Sequence, residues 1–240
     1  MRPAVEALSR HFDVHTLSLR DDARSFDDYV QQVSDTLTER SLAQAVICGV
    51  SFGGLTALRF AASHPSRTRA LILASTPGPG FSLPARHRLY ARLPRILGPL
   101  FLLESPWRLR HEIAAALPDR AARRAFRRAM LATVRSAPPS LTGMATRARL
   151  MTSVDVAPDC GRIASPTLVV TGEPALDFVV PAEGSIAYTH LIPHARAVVL
   201  ERTGHIGTIT RPEAFADLVA AFVPQSSIRN PHYKGPDAAA

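Results

Sequence analysis

The chain has 240 residues, enough for one domain with a sizeable core, and 46% of them are hydrophobic, as in an ordinary globular protein. No stretch reaches the ~20 apolar residues of a membrane span, and the N-terminus lacks the apolar run of a secretory signal, so we expect a cytoplasmic protein. The net charge of +8 is almost all arginine and forms no single basic block with interleaved aromatic residues, so no nucleic-acid partner is expected.

Hydrophobic periodicity predicts alternating strands and helices. In chain order, the pattern predicts the end of a helix at 1–11, a strand at 12–19, a helix at 25–40, a strand at 45–50, a helix at 53–65, strands at 69–75, 166–172 and 195–201, and a helix at 211–223. Ser25 is the predicted N-cap of its helix, with Asp28 at the capping-box position. Cys48 lies inside an apolar strand and is predicted to be buried.

The alternation predicts an α/β fold with a mostly parallel sheet flanked by helices. Residues 77–160 interrupt it, because they contain prolines and helical pieces such as WRLRHEIAAAL but no strand pattern. We therefore predict a core made of 1–76 and 161–223 and a helical lid insertion at 77–160. Residues 224–240 are predicted to be a disordered tail.

One serine occupies a crowded corner between a predicted strand and a predicted helix. The stretch Gly49-Val50-Ser51-Phe52-Gly53 matches G-x-S-x-G, and Gly54 follows it. A strained turn at the serine is expected to leave no room for a β-carbon at the flanking glycines, and to project the hydroxyl above the sheet. The start of the following helix offers backbone N–H groups to a developing oxyanion.

A serine hydroxyl needs a base to become a nucleophile, and the base needs an orienting acid. Asp177 follows the predicted strand 166–172, with Glu173 as a rival acid in the same loop. His205 stands between glycines just past the last predicted strand, unlike the other histidines. Catalytic groups of parallel α/β sheets gather at these carboxyl ends of strands, so we favour Asp177 and His205 as partners of Ser51.

Together with TGEPALDFVVP and ERTGHIGTITRPEAFADLVAAFV, these motifs resemble the α/β-hydrolase family, in the branch that carries a lid. The resemblance implies Ser51 as nucleophile, Asp177 as orienting acid, His205 as general base and the backbone N–H of Phe52 as an oxyanion donor. It implies neither a metal nor an organic cofactor. The motifs are specific for the fold and not for the substrate.

Members of this family usually open with strands that precede the first helix seen here, and a His-Gly-type loop there donates a second oxyanion N–H. By the resemblance, 12–19 is the family's fourth strand and the first strands of the family are absent from this sequence. The family's third strand would lie between 12–19 and 45–50, so those two strands are expected either to be separated by a gap or to pair directly. We expect Met1 to be an internal methionine.

The expected function is hydrolysis of a carboxylic ester, thioester or lactone of a small-molecule acyl substrate through an acyl-enzyme. Acyl transfer or perhydrolysis on the same three residues is an alternative, and so is a non-catalytic ligand-binding protein. Apolar residues of 77–160 either line an acyl pocket or pack this segment onto the core: Phe81, Leu83, Leu89, Tyr90, Leu100, Phe101, Leu102, Trp107 and Met144. The arginines of this segment reflect either acidic substrates or a composition bias.

Overall fold

A four-stranded parallel sheet forms the centre of the computed structural model, which describes residues 1–223. Its strands are β1 (Ala45–Val50), β2 (Thr68–Ala74), β3 (Thr167–Thr171) and β4 (Ala195–Val199), adjacent in that order. Every pairing is parallel, and Val50, Ala74, Val170 and Val198 lie in one row across the sheet. The predicted parallel sheet is thus confirmed, and the carboxyl ends of all four strands lie along the same side of the sheet. The predicted tail, 224–240, lies outside the described residues.

Thirteen α-helices accompany the sheet within residues 1–223. They are α1 (Arg2–Leu8), α2 (Phe26–Glu39), α3 (Phe52–Ser63), α4 (Ala85–Arg92), α5 (Pro94–Arg108), α6 (Arg110–Ala116), α7 (Arg120–Ser136), α8 (Leu141–Ser153), α9 (Ala157–Cys160), α10 (Ala182–Ile186), α11 (Tyr188–Leu191), α12 (Gly207–Thr210) and α13 (Pro212–Phe222). None of these helices has the length and apolar character needed to cross a membrane.

Apolar side chains of the sheet point alternately to two faces, and each face is covered by helices. One cluster joins Ile47, Leu71, Leu73 and Val169 to buried residues of α2 and α3, such as Tyr29, Leu58 and Phe60. The other cluster joins Ala70, Ile72, Leu168 and Val170 to Ala4 of α1 and to Phe215 and Val219 of α13. Each fully buried large aliphatic side chain contributes about 1.5–3 kcal/mol to folding, so this three-layer arrangement holds the sheet rigid.

The start of α2 shows the predicted capping box. The backbone N–H of Asp28 donates to Oγ of Ser25 at 3.2 Å, and the backbone N–H of Ser25 donates to Oδ2 of Asp28 at 2.9 Å. Two otherwise unpaired donors at the helix start are satisfied in this way.

The predicted strand at 12–19 is wrong, because residues 13–20 have an irregular backbone. Side chains of α2 and α8 donate hydrogen bonds to carbonyl groups of this segment that a neighbouring strand would otherwise have paired. Nε2 of Gln32 donates to the carbonyl of Ser18 at 2.9 Å, and Nη2 of Arg147 donates to the carbonyl of Leu19 at 3.0 Å. The alternating pattern reflects a surface segment that is half-buried on one side, not a paired strand.

β1 is an edge strand, since β2 is its one partner among the described strands. Residues 12–19 therefore do not pair directly with β1, which was one of the two arrangements expected. The edge position also overturns the predicted burial of Cys48, which is exposed. An apolar strand sequence predicted burial on all sides, but a strand at a sheet edge leaves part of its surface open.

Between β2 and β3 the chain forms six helices, α4 to α9, and no strand. Nη1 of Arg149 on α8 donates to the carbonyl of Ala91 on α4 at 2.7 Å, and this hydrogen bond connects the two helices. α5 presents an apolar side to solvent, and the side chain of Trp107 is 67% exposed. Trp107 therefore neither lines a pocket nor packs against the core in the described structure.

Candidate active site

Ser51 ends β1 and begins the turn into α3 with a backbone that few residues adopt. Its φ is 54° and its ψ is −123°, so the residue lies in the positive-φ region that disfavours any side chain. The turn is fixed from both sides, because the Ser51 N–H donates to the carbonyl of Ala74 at 2.9 Å and the Gly54 N–H donates to the carbonyl of Ser51 at 2.9 Å. The rigid sheet thus holds the serine in a strained conformation at the edge where the strands end.

Two of the three glycines around Ser51 are required by close approach. A β-carbon on Gly49 would overlap the backbone of Gly53, and one on Gly54 would overlap the side chain of Thr76. Gly53 is different, since a β-carbon there would meet no heavy atom within 4 Å. The expectation that Gly53 must lack a β-carbon is therefore wrong. Its backbone is the part in close contact, because it lies against Gly49, whereas the place of its own β-carbon is open.

His205 reaches Ser51 from the loop that follows β4. Its Nε2 lies 3.1 Å from Oγ of Ser51, a hydrogen-bond distance. Its Nδ1 faces Oδ2 of Asp177 at 3.6 Å and has no hydrogen-bond partner among residues 1–223. The structure therefore brings the three sequence-predicted side chains together, with the imidazole between the hydroxyl and the carboxylate.

Asp177 is held by its own loop. Its Oδ1 accepts hydrogen bonds from the backbone N–H groups of Val179 and Val180, both at 2.9 Å. The side chain is 2% exposed, against 14% for His205. These contacts leave Oδ2 free to face the imidazole, and they fix its direction.

Glu173, the rival acid, has a different task. Its Oε1 accepts a hydrogen bond from the backbone N–H of Arg202 at 2.6 Å, and its own N–H donates to the carbonyl of Thr203 at 2.8 Å. These bonds join the loop after β3 to the loop after β4. Glu173 therefore braces the two loops, and Asp177 is the carboxylate that faces His205.

Phe52 begins α3 immediately after Ser51. The first N–H groups of a helix have no acceptor within the helix, so the Phe52 N–H is free to face an oxyanion. Its ring is buried against Phe26, with ring centroids 5.1 Å apart, and against Tyr29, with centroids 5.2 Å apart. This packing anchors the start of α3 to α2 beneath the serine.

Glu112 is a buried carboxylate beside this site that the sequence reasoning missed. It lies on α6 and is 1% exposed, and its Oε1 accepts a hydrogen bond from the backbone N–H of Ile206 at 2.7 Å. Burial raises the pKa of Glu112 to about 7, although the N–H groups of Gly204 and Ile206 act to lower it. The available signal was its place beside Ile113 on the apolar face of a short helix, a position where a charged residue is unusual.

A family model described as the alpha/beta hydrolase family matches residues 3–218. The chain belongs to the alpha/beta hydrolase family. Its geometry at Ser51 is the sharp strand-to-helix turn that the G-x-S-x-G motif requires.

Individual relatives of this hydrolase include enzymes named for esters and lactones. It is 26% identical over 230 residues to the pimeloyl-(acyl-carrier protein) methyl ester esterase of Yersinia enterocolitica, covering 93% of this chain and 87% of that protein. It is 28% identical over 202 residues to 3-oxoadipate enol-lactonase 2 of Acinetobacter baylyi, covering 77% of this chain and 66% of that protein. The crystal structure of the enol-lactonase from Burkholderia xenovorans LB400 matches with a TM-score of 0.66 at 25% identity, covering 92% of this chain and 84% of that one.

Proposed function

We propose that this hydrolase cleaves a carboxylic ester, thioester or lactone by nucleophilic catalysis at Ser51. The observation that carries the proposal is the 3.1 Å distance between Oγ of Ser51 and Nε2 of His205, at a strained turn above the carboxyl edge of the sheet. A serine that only capped a helix would need neither the positive φ nor an imidazole at hydrogen-bond distance.

Acylation begins when Oγ of Ser51 attacks the substrate carbonyl carbon while Nε2 of His205 takes the hydroxyl proton. The carbonyl oxygen gains negative charge, and the Phe52 N–H at the start of α3 stabilises it. The tetrahedral intermediate then collapses, and the bond from the carbonyl carbon to the leaving oxygen or sulfur breaks. His205 returns its proton to that leaving group, and the acyl group stays on Ser51.

Deacylation repeats the same steps with water in place of the serine. His205 takes a proton from water, whose oxygen attacks the acyl carbon, and the proton then returns to Oγ of Ser51 as the carboxylic acid leaves. With a lactone the leaving hydroxyl remains attached to the acyl part, so the product is a single hydroxy acid. No step in this sequence needs a metal or an organic cofactor.

Asp177 acts through His205. Its carboxylate favours the tautomer with the proton on Nδ1, which leaves Nε2 free to accept the serine proton. It also stabilises the imidazolium that forms in each half of the reaction. The 3.6 Å separation needs to shorten by less than one ångström to become a hydrogen bond, as catalytic contacts commonly do when substrate binds.

The relatives support a carbonyl ester as the substrate, because one is named a methyl ester esterase and another an enol-lactonase. Both names describe a bond between a carbonyl carbon and an oxygen. The helical segment 77–160 serves as a lid in this proposal, since Oε1 of Glu112 on α6 contacts the loop that carries His205.

Turnover of a series of p-nitrophenyl esters by the purified chain tests the proposal. The wild type is expected to show a burst of p-nitrophenolate followed by a slower steady rate, because the acyl-enzyme accumulates. Ser51→Ala is expected to abolish both phases. Ser41→Ala is the matched control, because Ser41 is also a serine at positive φ, 55°, but is exposed at the end of α2. Turnover by Ser51→Ala at the wild-type rate would disprove the nucleophile.

A further inference from the structure

Glu112 connects the helical segment to the loop that carries His205. The hydrogen bond from the Ile206 N–H to Oε1 of Glu112 spans 94 residues of chain. Ile206 is the neighbour of His205 and the N-cap of α12, so this bond fixes the backbone directly beside the imidazole. Because Glu112 is buried, breaking this hydrogen bond would leave its oxygen unpaired away from water, which is costly.

The second oxygen of Glu112 is not used by its surroundings. Oε2 is buried and has no hydrogen-bond partner within residues 1–223, and the same holds for Nδ1 of His205. The charged groups that act on Glu112 are Asp177 and His205. Two helices pack against α6: α12, which has no titratable side chain, and α5, which carries Arg95, Glu104 and Arg108. An unpaired buried carboxylate is costly to retain, so its place beside the imidazole calls for a role.

A neighbouring residue of α6 contacts the other loop of the site. The ring of His111 lies 6.2 Å from the ring of Phe178, centroid to centroid, and Phe178 follows Asp177 directly. One short helix therefore contacts both the loop that carries the acid and the loop that carries the base. The helical segment and the three predicted catalytic side chains form one connected unit.

We propose that Glu112 is a positioning residue for His205, which holds the backbone beside the imidazole through the Ile206 N–H. The inference rests on the proposed function, since it assigns a role toward the same base. The backbone contact keeps Nε2 at 3.1 Å from Ser51. Because Oδ2 of Asp177 stands 3.6 Å from Nδ1, which has no hydrogen-bond partner within residues 1–223, the direction of the imidazole depends on the backbone that carries it.

Two substitutions test the backbone contact. Glu112→Gln retains an amide oxygen that can accept the Ile206 N–H, whereas Glu112→Ala removes the acceptor. Glu104→Gln is the control, because Glu104 is a carboxylate of the same helical segment that contacts Arg86 and Tyr90 instead of the site. Three quantities are measured on each full-length variant: the hydrogen exchange of the Ile206 N–H by NMR, the separate values of kcat and KM, and Tm.

Glu112→Gln is expected to keep the Ile206 N–H protected from hydrogen exchange and to hold kcat within about fivefold of the wild type, because the acceptor oxygen is retained. Glu112→Ala is expected to speed exchange of the Ile206 N–H about tenfold or more and to lose about ten- to a hundredfold in kcat with KM little changed, because the loop is no longer held. Glu104→Gln is expected to change neither the exchange of the Ile206 N–H nor kcat.

An unchanged exchange rate of the Ile206 N–H in Glu112→Ala overturns the proposal, and so does a loss of activity that follows Tm alone, since that pattern describes a purely structural side chain. The exchange measurement does not depend on turnover. If the wild type hydrolyses no ester but the Ile206 N–H exchanges faster in Glu112→Ala, the proposed function fails while the positioning role stands.

Discussion

His205 lies 3.1 Å from Ser51, Nε2 to Oγ, although the two residues follow strands at opposite edges of the described sheet. Neighbouring strands are about 4.8 Å apart, so the loop after β4 has to cross roughly 14 Å to reach the end of β1. Gly172 and Gly204 permit this crossing, because a β-carbon on either would overlap the backbone of the opposite loop. The position of the imidazole thus depends on backbone packing between the loops that follow β3 and β4.

The two acids of the loop after β3 predict different kinetics. Asp177→Asn is expected to lower kcat about 10³- to 10⁴-fold, because an amide at this place no longer favours the Nδ1–H tautomer or the imidazolium. Glu173→Gln is the matched variant and is expected to change kcat less than about fivefold, since its amide oxygen can still accept the Arg202 N–H. Steady-state rates on one p-nitrophenyl ester decide the matter, and an equal loss in both variants would contradict the assignment of roles.

Neighbouring glycines of the elbow predict opposite changes in stability. Gly54→Ala is expected to destabilise the fold by about 1–3 kcal/mol, because the new methyl group overlaps the buried Thr76 side chain. Gly53→Ala has open space within α3 and is expected to raise the free energy of unfolding by about 0.5–1 kcal/mol, since alanine favours the helix. Urea unfolding of both variants checks the pair. A destabilised Gly53→Ala would show that the turn is more crowded than described.

The pKa of Glu112 predicts how stability depends on pH. The folded value of about 7 exceeds the ordinary value of 4.5, so the folded protein keeps a proton that the unfolded chain releases as pH rises past 4.5. This group therefore contributes stability at low pH that is lost between pH 4.5 and 7, by up to about 3 kcal/mol.

Glu112→Gln cannot titrate, so its stability relative to the wild type is expected to improve on going from pH 4.5 to pH 7.5. The measurement is urea unfolding of both proteins at the two pH values. The same difference between the proteins at both pH values would mean that Glu112 does not retain its proton in the fold.

Much of the core could be predicted from the sequence because its strands are short and apolar, and the two central strands, β2 and β3, are almost wholly buried. The strand predicted at 45–50 matches β1, and the helix predicted at 211–223 matches α13 to within a residue at each end. Apolar periodicity alone could not decide whether 12–19 forms a strand, because a strand needs a partner strand. The side chains of Gln32 and Arg147 bond the carbonyl groups of this segment instead.

The site residues also divide into those that the sequence could predict and one that it could not. Ser51 directly follows β1, and Asp177 and His205 lie in the loops after β3 and β4, so a parallel sheet brings all three to the side where its strands end. Glu112 comes to the site from a helix, and its partner Ile206 lies 94 residues further along the chain. Its place on the apolar face of α6 marks Glu112 as unusual, but nothing local in the sequence identifies that partner. Contacts of that kind depend on how the helical segment packs, which the periodicity of a sequence does not describe.

Labelling by a fluorophosphonate, with the modified residue located by mass spectrometry, tests the central claim most directly. Such a probe forms a covalent bond with a serine only when a base activates its hydroxyl and donors stabilise the phosphonyl oxygen. A single adduct on Ser51 in the wild type, absent from Ser51→Ala and retained in Ser41→Ala, is the predicted result. An undiminished adduct on Ser51→Ala, at any other residue, would contradict the assignment of Ser51 as the nucleophile.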